Sequence, residues 1–84
     1  VSEEFAARRG LIGASEIAAS AVVSGLPAGS EEGSATHRAA CAAYEWSGID
    51  ARDIAVAEVH DPTSPQELFD IEDLLFCGRG EAIR

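Results

Sequence analysis

IAVAEVH, residues 54–60, decides the fold class. Ile54 and Val56 are separated by alanines, Val59 adds a third β-branched residue, and no charge appears before Glu58. A short apolar run of this kind suits a strand covered on both faces, as in a parallel sheet. The run stops at His60-Asp61, and SPQE, residues 64–67, reads as a helix start. Ser64 is the expected N-cap, Pro65 the first helical residue and Glu67 the third. That is a capping box, with proline where its missing N–H does no harm. Leu68, Ile71, Leu74 and Leu75 form the expected apolar stripe, with Asp70, Glu72 and Asp73 on the wet face.

Upstream, the spacing of Ala40, Ala43, Tyr44 and Ser47 predicts a helix over 36–47, capped by Ser34 or Thr36. Gly48 is its stop, and Ile49 is the hydrophobic contact beyond the glycine. Residues 50–53 read as a turn. LPAGSEEGSA, residues 26–35, reads as an exposed loop. It lacks the glycine spacing of a phosphate-binding loop and carries two acids. EIAASAVVSG, residues 16–25, has small and β-branched residues on both faces, so a second two-sided strand is expected, with helix as the alternative. A short helix begins at Ser2, with Glu3 and Glu4 in its first turn and Gly10 as its stop. The order helix, strand, loop, helix, strand, helix predicts an α/β chain. Its centre is a βαβ unit with a right-handed crossover and flanking helices. Two strands alone do not make a stable parallel sheet, so more sheet is expected than these residues supply.

The chain has 84 residues and a net charge of −9, with six arginines and no lysine. A surface this acidic repels phosphate backbones and anionic lipids, so neither nucleic acid nor membrane is an expected partner. No apolar run approaches the roughly 20 residues of a membrane span, and nothing resembles a signal peptide. A cytoplasmic setting is therefore expected. Cys41 and Cys77 show no zinc spacing and no disulfide framework. Cys41 reads as a small core residue of an alanine-rich helix. Alanine contributes little burial per residue, so an independent, stable domain is doubtful on composition alone.

Three arrangements bear on chemistry. His60-Asp61 would sit at the carboxyl end of a strand, where ligands of parallel α/β sheets gather. A histidine there can act as general base or hydrogen-bond donor, or simply bind the local backbone. Cys77 follows the end of a helix, where the dipole opposes a thiolate, and reads as a packing thiol. His37 and Tyr44 lie on roughly one side of their helix, with His37 expected to be exposed. An acyl carrier is the competing class of similar size and acidity. No Asp-Ser pair exists to carry its prosthetic group, and the β-branched segments oppose an all-helical bundle.

YEWSGIDARDIAVAEVHD, followed by ELFDIEDLLFCGRGEA, resembles the C-terminal half of thiolases of the sterol carrier protein X type. SEEFAARRG resembles a segment near the start of that half. The resemblance implies a partial thiolase fold, a slice of an αβαβα layered architecture. It implies acyl transfer on coenzyme A thioesters, either thiolysis of a 3-ketoacyl-CoA or Claisen condensation. No permanently bound cofactor is implied; the coenzyme A thioester is the substrate. His60 takes the place of the family's catalytic histidine, and Asp61 is its supporting neighbour. The nucleophilic cysteine and the histidine of the family's GHP loop match nothing here, and Cys77 corresponds to a structural tail cysteine. The implied partners are the remainder of a thiolase chain or a partner subunit, in a homo-oligomer or a hetero-oligomer with an OB-fold protein. Pro62 and Thr63 depart from the family pattern, which has a small residue and then phenylalanine. The alternatives are therefore a retro-aldolase of steroid side-chain CoA thioesters and a non-catalytic association fragment.

Overall fold

The structure, a computed structural model, describes residues 1–83. Three α-helices occur among them: α1, Glu3–Arg8; α2, Ala35–Ser47; and α3, Ser64–Asp73. A 3-10 turn, Ala51–Asp53, follows α2. The helix ends follow local chemistry. Ser2 Oγ accepts the Phe5 N–H at 3.1 Å and caps α1. Ser34 Oγ does the same for the His37 N–H at 3.0 Å and caps α2. Gly48 ends α2 with φ 70°, and its N–H reaches the Tyr44 carbonyl at 2.9 Å. Only a residue without Cβ takes that left-handed conformation at no steric cost.

Helix α3 starts one residue earlier than expected. Thr63 is its N-cap and makes no side-chain capping bond, so Ser64 is already helical and the Ser64–Glu67 capping box does not form. Its exit is also unusual. Leu75 has φ 65°, a left-handed conformation normally reserved for glycine. Beyond it the Glu72 carboxylate gathers the tail, accepting the N–H groups of Gly80 at 2.8 Å and Ala82 at 3.4 Å.

The expected βαβ unit is not there. No strand forms among the described residues, and no backbone hydrogen bond joins 16–25 to 54–60. The expectation of an α/β fold built on these two strands is therefore incorrect for this chain. The reason is physical: a strand exists only through a paired neighbour. Each segment lies instead against a helix. Ile17, Ala18 and Ala19 line a cleft with Ala43 and Tyr44 of α2, and Ile54 to Ala57 line another with Glu67 and Ile71 of α3. The first segment keeps the period of two. Ala19, Ala21 and Val23 are half-buried, whereas Ala18, Ser20, Val22 and Ser24 are exposed. One face is thus covered by the chain and the other is bare, with Val22 at 94% exposure.

The contact between α2 and α3 is thin in apolar atoms. Ala40 is its buried hydrophobic residue. A polar seam supplements it. Ser34 donates to Asp73 Oδ2 at 2.6 Å, the His37 ring meets the Asp73 carbonyl at 3.3 Å, and Tyr44 donates to the Leu74 carbonyl at 2.8 Å. Asp70 and Asp73, expected on the wet face, are the buried acids of this contact. A buried carboxylate must be hydrogen-bonded to be tolerated. Gln66 Nε2 donates to Asp70 at 2.9 Å, and Ser34 serves Asp73.

Candidate functional site

Irregular chain running down to α3 brings His60 to a cleft of about 400 Å³. Glu58, Val59, His60 and Pro62 form one wall. Gln66, Asp70 and Leu74 of α3 form another, and Thr36 closes it from the start of α2. Small-molecule sites span roughly 300–1,000 Å³, so the cleft has room for the reactive end of a substrate. His60 is exposed, so its ring is open to a ligand entering from solvent. Asp61 is exposed too, and is not among the lining residues. Of the two expected site residues, His60 lines the cleft and Asp61 does not.

The chemistry of the lining is uneven. Two carboxylates, Glu58 and Asp70, share it with one imidazole. Asp70 is only 5% exposed, and Gln66 holds one of its oxygens. His60 has no hydrogen-bond partner among the described residues, leaving its ring nitrogens available to a ligand oxygen. Pro62 stiffens the wall, and Thr63, which is not among the lining residues, is the N-cap of α3.

Sequence reasoning missed Asp70, and two signals pointed to it. Gln66 and Asp70 are spaced i, i+4, a pairing distance on a helix. Acids in the last turn of a helix are opposed by its dipole, so Asp70 and Asp73 needed specific partners. Cys41 was also misplaced. It is exposed rather than buried, and its sulfur lies 3.6 Å from His37 Nε2. His37, expected in solvent, is half-buried against Asp73. Cys77 is half-buried, and its thiol is pushed up by burial and by the nearby carboxylates of Glu72 and Glu81. It is a poor nucleophile for that reason.

A family model described as thiolase C-terminal domain-like matches residues 29–84. The match takes in α2, the His60 cleft, α3 and the tail, and the chain belongs to this thiolase family. Sterol carrier protein 2 of Rattus norvegicus is 37% identical across an 89-position alignment that takes in 95% of this chain. The chain spans only 16% of that relative's length. No solved structure matches it significantly. The resemblance carried by YEWSGID, EVHD and the tail is thereby borne out at the level of the family. No helix among the described residues is long and apolar enough to cross a membrane.

Proposed function

We propose that this chain supplies one wall of a coenzyme A thioester site in a thiolase-type acyltransferase. His60 donates a hydrogen bond to the thioester or keto oxygen of a 3-ketoacyl-CoA and stabilises the negative charge that grows there during C–C cleavage or condensation. Asp61, beside it, fixes the turn. The attacking cysteine comes from another part of a thiolase chain or from a partner subunit. That same body covers the bare faces of residues 16–25 and 54–60. A reducing cytoplasm suits the two free cysteines.

The observation that carries this reading is the family match over a segment in which His60 opens onto a ligand-sized cleft. Thr63, where the family has phenylalanine, caps α3 instead of walling the cleft. The added room favours a bulkier acyl group, and retro-aldol cleavage of steroid side-chain CoA thioesters is the second reading on that ground. Imidazole acylation of the intact protein tests the site. Acetoacetyl-CoA is expected to protect His60 from diethyl pyrocarbonate while His37 keeps its reactivity. Equal labelling of His60 with and without the thioester would refute occupancy of the cleft.

A further inference from the structure

On the exposed side of α2, outside the His60 cleft, Cys41 faces the imidazole of His37. The sulfur and Nε2 are 3.6 Å apart. The ring is oriented from its other end, where Nδ1 lies 3.3 Å from the Asp73 carbonyl oxygen. A carbonyl oxygen can only accept, so Nδ1 carries a proton, and in that tautomer of the uncharged ring bare Nε2 faces the thiol. Gly33 supports the ring from below: a Cβ there would lie 3.1 Å from His37 Cδ2. The result is a thiol, a base and a group that orients the base, the arrangement that activates cysteine nucleophiles.

We propose that Cys41 and His37 form a nucleophilic pair, and that Cys41 is the site at which this chain forms mixed disulfides with low-molecular-weight disulfides. The thiol proton passes to His37 Nε2 as the Cys41 sulfur bonds to one sulfur of the small disulfide. The disulfide's own S–S bond breaks. Its departing half leaves as a thiolate and takes the proton back from His37. Cys41 and the attacked half are joined as a mixed disulfide, and the other half is released as a free thiol. The small disulfide is the oxidant, and nothing else is consumed. Cys77 provides an internal contrast, being half-buried between Glu72 and Glu81 with no imidazole beside it.

The test is a time course of 2-hydroxyethyl disulfide with the reduced intact protein, read by peptide mass spectrometry. The reagent is uncharged, so the chain's acidity does not bias it. Cys41 is expected to react at least about tenfold faster than Cys77, with the ratio falling towards one in denaturing urea. His37→Asn should slow Cys41 several-fold and leave Cys77 unchanged. Equal folded-state rates for the two cysteines, or a Cys41 rate indifferent to His37→Asn, would overturn the proposal. Should the variant unfold, wild type decides alone: a Cys41 no faster folded than unfolded also overturns it.

Discussion

Asp50 and Arg52 show how much a single exposed pair can do. The Asp50 carboxylate accepts the Arg52 N–H and Nε–H, both at 2.9 Å, and Nη2 at 3.0 Å. Side-chain hydrogen bonding from Arg52, then its backbone N–H, holds the Asp50 carboxyl down from 3.8 to about 2. The folded value is depressed, so the contribution is present above the ordinary carboxylate pKa and lost as pH falls through about 2. An NMR titration is expected to find that midpoint, and Arg52→Gln should return it towards 3.8. Tyr44 is perturbed in the opposite direction. Its phenol is pushed up by burial, then by Cys41 and Asp50, and it donates to the Leu74 carbonyl. Tyr44→Phe should cost about 1 kcal/mol in the intact protein, read as a shift in denaturation midpoint at constant m. At this scale His60 was legible because a short motif marks it. The pairing of His37 with Cys41 was not, because Asp73, which orients the ring, lies 36 residues away in sequence.

Helix ends were legible where the signal is local. Ser2, Ser34 and Gly48 act as their spacing predicts, since a cap needs only neighbours within four residues. Ser34 carries a second load, because its hydroxyl also donates to buried Asp73. Ser34→Ala removes the cap and strands a carboxylate oxygen, and should cost about 2 kcal/mol or more, above the usual ~1 for a cap alone. Helicity measured against denaturant checks this, and a loss near 0.5 kcal/mol would mean that water replaces the hydroxyl at little cost. At the far end of α3, Leu75 holds φ 65° while remaining 44% exposed. Leu75→Gly should therefore stabilise by up to about 1 kcal/mol, since relief of the left-handed conformation exceeds the lost contact. The α3 start was misread because Ser64 and Thr63 are both capping residues, and sequence alone does not say which one takes the extended conformation.

Taken as a whole, the folded chain exposes 6861 Å², against about 4,700 Å² for a closed protein of its size. Its radius of gyration is 15.9 Å, where about 12 Å is expected. Ile17, Val22 and Val56, all in the two would-be strands, are more than 80% exposed. Composition had foreshadowed the thin core, and apolar runs had marked both segments, but no run of residues reveals whether a pairing neighbour is present. The 84-residue chain taken alone is accordingly expected to show weak, non-cooperative melting by circular dichroism. A sharp two-state transition would show that it needs no cover. Whether His60 serves a coenzyme A thioester is decided by steady-state thiolysis of acetoacetyl-CoA by the intact protein and its His60→Ala variant. His60 is exposed, so folding should survive the change. A kcat lower by about a hundredfold or more, with an unchanged melting temperature, is expected of the variant. An unaltered kcat and KM for the variant would contradict that role.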